Sequence, residues 1–200
     1  MIRPLAYIVA GWSGFFVMSV ELLGGRLLAP AFGSSIYVWG ALITVFMVGL
    51  ALGYLAGGRW SQRNPSLPRL GVLLIAAALT TLPVPLFAVT LLDEIAIAVP
   101  DPRFGSLLGA TALFLTPTVF SGMISPYCVR LLVQATATSG RHAGQLYFVS
   151  TFGSAAGTLL TSFYLVLWFE VNHILYALIA ASAVLGIASC AAGVRIRRTG

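Results

Sequence analysis

The chain contains no lysine and only five acidic residues, Glu21, Asp93, Glu94, Asp101 and Glu170. With 11 basic residues, all of them arginine, that makes 16 charges in 200 residues, or 8%. Soluble domains carry roughly a quarter charged residues, so a water-soluble globular enzyme is excluded. The chain is also 59% hydrophobic, which excludes a disordered polypeptide. Cysteine is scarce as well. Cys128 and Cys190 sit in separate apolar runs without CxxC spacing, as small packing residues do and redox or zinc pairs do not. No G-x-G-x-x-G follows a strand pattern, no P-loop occurs, and no His/Cys/carboxylate cluster has metal-ligand spacing. The expectation is therefore no enzyme activity, no cofactor and no metal.

What the chain does have is long apolar runs. A helix needs about 20 apolar residues to cross the hydrocarbon core. Six runs qualify, at 5–24, 36–57, 70–92, 107–130, 146–168 and 173–194. They are continuous and lack the alternation of a membrane barrel. The expected fold is thus an all-α integral membrane protein, one six-helix domain over residues 1–200 that sits in a lipid bilayer. Met1 to Pro4 precede the first run without a small-residue cleavage site, so that run reads as an uncleaved span. Spans 5 and 6, separated by a few residues around Glu170, are expected to form an antiparallel hairpin. Gly24–Ser35 is too short to span and too apolar for a loop, and it reads as an interfacial or re-entrant stretch.

The arginines then set the orientation. Arg3, Arg59, Arg63, Arg69, Arg130, Arg141, Arg195, Arg197 and Arg198 fall on one side, and Arg26 and Arg103 on the other with the acids. Positive charge stays cytoplasmic, so both termini are expected in the cytoplasm of a multi-pass protein of a bacterial inner membrane. The net charge of +6 is then an orientation signal and implies no nucleic-acid partner.

Six spans allow two copies of three. At an offset of 104, Arg26-Leu27-Leu28 matches Arg130-Leu131-Leu132, and Gly40, Leu42 and Val45 match Gly144, Leu146 and Val149. Gly49, Ala51 and Gly53 match Gly153, Ala155 and Gly157. Three helices are an odd number, so a second copy enters the membrane inverted, as in the halves of many secondary transporters. The expected repeats are 5–92 and 107–194. Gly49, Gly53 and Gly57 line one face of span 2, and Gly153 and Gly157 lie on span 5. Small residues so spaced let helices approach closely, either inside the bundle or against a second six-helix unit. Pro83 and Pro85, with Pro117 and Pro126, are expected to break spans 3 and 4.

Glu21 is the one acid within a span. An intramembrane charge normally faces the protein interior with a partner. It forms a structural pair with Arg26, or a cation or proton site with Arg26, Tyr37, Ser125 and Tyr127 nearby, or stays hydrated near the interface. Aromatic faces at Tyr37, Trp39, Tyr127 and Tyr147 would suit an organic cation. His142 and His173 fall at opposite faces and cannot share a ligand.

Four stretches carry a family likeness: Glu21–Gly40 with its E-x-x-x-G-R-x-x-A-P-x-F-G-x-S pattern, Gly49–Arg59, Ser121–Arg130 and Gly144–Thr158. Together they resemble the membrane domain of bacterial fused major facilitator/spermidine synthase proteins. The likeness covers most of residues 12–168. It implies a fold like half of a major facilitator transporter. With the repeat, the glycine faces and Glu21, the leading expectation is a membrane module for transport of a small cationic or amphipathic solute, as a homodimer or with a separate membrane or cytosolic partner. The alternative is a non-catalytic anchor or scaffold subunit of a separate enzyme or larger complex. The aminopropyltransferase-like domain that follows in fused relatives has no counterpart before Gly200, so spermidine synthesis is not expected of this chain. A C-terminal green fluorescent protein fusion should fluoresce and a C-terminal alkaline phosphatase fusion should stay inactive; the reverse pattern overturns the orientation.

Overall fold

The computed structural model describes residues 2–62, 64–132 and 139–199, with side chains omitted at 2, 139 and 196–199. Arg63 therefore lies outside the described residues, as do the side chains of Arg197 and Arg198. The described chain is helical almost throughout. Helix α1 covers Ile2–Phe32, α2 Ile36–Ser61, α3 Leu67–Thr81, α4 Pro83–Ala98 and α5 Pro102–Leu132. Then come α6 (Ser139–Leu160), a π-helical turn at Thr161–Leu165, α7 (Val166–Trp168) and α8 (Val171–Thr199). Taking α3 with α4, and α6 through α7, as single rods gives six helices long and apolar enough to cross a membrane. The protein is a six-helix, all-α membrane protein. The turns at 33–35, 99–101 and 169–170 lie at one end of the bundle, here the Gly33 end. The 62–66 turn lies at the other, the Asn64 end.

The rods are longer than the expected spans because helical hydrogen bonding continues past the apolar core. At about 1.5 Å per residue, the 31 residues of α1 reach about 46 Å, against a core of about 30 Å. The expected re-entrant stretch at Gly24–Ser35 is accordingly corrected. It is ordinary helix to Phe32, with Pro30 inside it. Pro30 sits in the last turn, where losing one donor leaves the rest of the ladder intact. The chain turns at Gly33, whose φ of +80° glycine adopts without strain.

The prolines also act more gently than expected. Pro117 and Pro126 lie inside an unbroken α5, and the Ser121 hydroxyl donates to the Pro117 carbonyl at 2.9 Å. Pro83 divides α3 from α4, yet Leu82 keeps helical angles of −56° and −36° and its N–H still reaches the Ala78 and Leu79 carbonyls. The result is one rod with an altered turn. The irregular turn in the fifth rod is instead the π segment, which carries neither proline nor glycine.

Packing is dominated by three helix pairs, α2 with α5, α1 with α6, and α3 with α8. Helices α1 and α5 also pack together at the centre. The expected hairpin of spans 5 and 6 is corrected here: they are joined by a short turn, but α6 lies along α1 and α8 along α3. The glycines explain why. A methyl group at Gly53 would overlap the Val119 carbonyl and stand 2.8 Å from Gly122 Cα; one at Gly157 would stand 2.5 Å from the Phe15 carbonyl. Gly57 meets Met123, Gly49 meets Thr118 and Leu115, and Gly153 meets Gly11. The glycine faces are thus occupied within the chain.

Two apolar clusters fill the bundle. One, toward the Gly33 end, includes Leu23, Leu42, Phe46, Leu92, Phe114 and Leu175. The other, toward the Asn64 end, includes Val9, Leu70, Leu73, Ile124, Tyr127 and Leu146. Along α1 the changeover falls at Ser13, whose hydroxyl donates to the Ser121 carbonyl at 3.3 Å. Near it the Trp12 indole N–H donates to Ser182 Oγ at 2.8 Å.

The backbone approach at Gly53 leads to a stability prediction. Gly53→Leu should destabilise the folded protein by about 1–3 kcal/mol through overpacking. Gly40→Leu, at a position open within 4 Å, should change stability by less than about 0.5 kcal/mol. Equilibrium unfolding in detergent measures both, and equal effects would contradict this packing.

Candidate functional site

Glu21 lies on the stripe of α1 that also carries Gly14 and Gly25. Gly14 faces Ser150 and Ser154 of α6, and Gly25 faces Trp39 of α2. Glu21 therefore stands in the slot between α2 and α6, half-buried. It is 11 residues short of the helix end at Phe32, about 16 Å along the axis, and so lies within the apolar slab when α1 is centred in a bilayer. No ion pair or hydrogen bond joins it to any described residue; the salt bridge found among them is His173 with Glu170, 3.7 Å apart on the surface.

The expected Glu21–Arg26 pair does not form. Five residues along an α-helix rotate a side chain by about 140°, so the two groups leave α1 on different sides. The other proposed neighbours disperse as well. The contact of Ser13 with Ser121 fixes the antiparallel register of α1 on α5. Ser125 then lies about 18 Å below Glu21 along the bundle axis, toward the Asn64 end.

Tyr127 is lower still and fully buried. Its hydroxyl accepts the Ser66 N–H at 3.0 Å and donates to the Ser66 carbonyl at 3.4 Å, and its ring packs 5.9 Å from Trp60. It fastens the 62–66 turn to α5. Tyr37, at the Gly33 end, is engaged by Arg103, whose guanidinium lies 4.7 Å over the ring and donates to the hydroxyl at 3.3 Å. Tyr147 is exposed on α6. The five expected site residues do not converge.

Two open cavities contain arginine. At the Gly33 end, Arg26 lines a cavity of about 360 Å³ with Gly25, Ser34, Trp39, Thr161 and Ser162. The π turn builds one wall, where Thr161 Oγ1 donates to Ser19 Oγ at 2.9 Å. At the Asn64 end, Arg130 lines a cavity of about 650 Å³ with Gly58, Ser61, Gln62, Pro126 and Ala143. Among the described residues, no carboxylate lines either one. Sequence reasoning named Arg26 but missed Ser34, Ser162 and Gln62. The only signal for Ser162 is a Thr-Ser step in an apolar run. Beside apolar residues such as Leu22, Val38, Trp39 and Val129, the polar side chains at these cavities are a guanidinium, hydroxyls and an amide, which suit an acceptor-rich ligand.

No protein-family model, curated protein or solved structure matches the chain. The likeness to the fused transporter–synthase membrane domain rests on the sequence stretches alone.

The clamp on the 62–66 turn is testable. Tyr127→Phe removes one donor and one acceptor from Ser66 and should cost about 1–3 kcal/mol, read as a lowered unfolding midpoint in detergent. An unchanged midpoint would mean the hydroxyl carries none of the load.

Proposed function

We propose that this chain is a transporter module of the kind suggested by its likeness to the fused major facilitator/spermidine synthase membrane domain. It is half of a transporter, made of two inverted three-helix repeats. It works as a homodimer in a bacterial inner membrane, with both termini cytoplasmic, and moves a small cationic or amphipathic solute.

The observation that carries this reading is the setting of Glu21. A half-exposed carboxylate with no ion partner, at membrane depth, is costly against lipid and stable against water or a cation. Exposed apolar side chains stand at the same level, Ile43, Met47 and Val48 on α2 and Leu160 and Phe163 at the end of α6 and in the π turn. A second copy seated on that rim would convert the slot into an enclosed polar cavity, and the carboxylate would favour cations there.

The helix contacts support the repeat. Gly53 meets Val119, and Gly157 meets Phe15; adding 104 to the first glycine and subtracting it from its partner turns one contact into the other. The same operation carries Gly49–Leu115 into Gly153–Gly11, and Gly57–Met123 into Thr161–Ser19. Three successive levels of the α2–α5 interface thus recur in the α6–α1 interface with the halves exchanged.

Uptake of spermidine and of tetraphenylphosphonium into proteoliposomes tests the reading. Wild type should accumulate at least one of them and Glu21→Gln should lower the rate at least about tenfold, as expected for loss of a buried charge interaction. Unchanged uptake in the variant removes Glu21 from the mechanism. No uptake, together with a stoichiometric non-self partner in mild detergent, favours the anchor subunit.

A further inference from the structure

The two arginine cavities lie at opposite ends of the bundle, yet they are built from corresponding residues. Moved by 104 positions, Leu22, Gly25, Arg26 and Trp39 of the first become Pro126, Val129, Arg130 and Ala143 of the second. Moved back, Ser162 and Val166 become Gly58 and Gln62. Six of the eight residues lining the larger cavity correspond in this way. What α1 and the π turn supply at the Gly33 end, α5 and the end of α2 supply at the Asn64 end.

We propose that these cavities are a matched pair of oxyanion sites, one at each membrane interface. Each takes a phosphate group, either of an anionic phospholipid headgroup or of free inorganic phosphate. The sites are independent of whether the protein transports a solute.

Three features carry this. The correspondence preserves the guanidinium, the side chain best suited to bind phosphate through two parallel hydrogen bonds. Neither Arg26 nor Arg130 hydrogen-bonds or ion-pairs with another described residue, whereas Arg103 at the same end as Arg26 is engaged by Tyr37. Further donors stand beside each arginine, the Ser34 and Ser162 hydroxyls in one cavity and the Gln62 amide in the other.

The depth also fits. Arg26 is six residues from the end of α1 and Arg130 two from the end of α5, about 9 Å and 3 Å along the axes, the level of lipid phosphates.

The test uses the full chain purified in dodecyl maltoside, titrated calorimetrically with dihexanoyl phosphatidylglycerol and, separately, with inorganic phosphate. Two sites per chain are expected. Arg26→Gln and Arg130→Gln should each weaken one site about ten- to hundredfold, the scale of a charged hydrogen bond, and the double variant should lose both. Binding of the lipid alone assigns the sites to headgroups; binding of inorganic phosphate as well assigns them to the free ion. On the unmutated chain, the bound probe should slow phenylglyoxal modification of Arg26 and Arg130, read by peptide mass. This arm holds even if a variant fails to fold. Absence of binding by either probe overturns the proposal, as does unchanged binding in the double variant or equal modification rates with and without probe.

Discussion

The architecture depends on backbone meeting backbone at glycine. At Gly53 and Gly157 no side chain separates the helices, and a single added methyl group would strike a neighbouring carbonyl. In lipid, where water gives no drive for helices to associate, such contact is a main source of cohesion. It determines which helices pair, α2 with α5 and α6 with α1. The central position of α1 and α5, the outward faces of α2 and α6, and the clefts left at the two ends follow from that pairing.

The same economy governs polar groups. Thr81, Thr118, Ser121 and Ser189 return their hydroxyls to carbonyls four residues back in their own helices, a cheap solution where no water is at hand. The Ser13 and Thr161 hydroxyls and the Trp12 indole N–H bridge helices instead. Against this background Glu21 stands out, because its carboxylate lies at membrane depth and finds no partner among the described residues.

Much of the fold was legible in the sequence, because twenty apolar residues in a row admit few structures. The six rods were therefore readable, although their ends were not. Hydropathy falls where the lipid ends, while the hydrogen-bond ladder of α1 continues to Phe32. Proline misled in the opposite sense. Pro30 and Pro117 each remove one donor, and neither interrupts its helix. The π turn at Thr161–Leu165 left no signal, since it arises where α6 is fitted along α1 and Thr161 reaches Ser19.

By itself, the sequence determined that this chain is a membrane protein of six helices, with its arginines biased to one end and a lone acid within a span. Those are properties of composition and linear spacing. Only the tertiary structure decided what stands beside what. Glu21, Ser125 and Tyr127 were expected in one site, but the register of α1 on α5 separates them by about 18 Å and more along the axis. Conversely, Arg26 and Ser162, far apart in the chain, come to share a cavity. Periodicity fixes the face of a helix a residue occupies, and helix pairing fixes which face it meets. That pairing was set by how closely the glycines let two backbones approach.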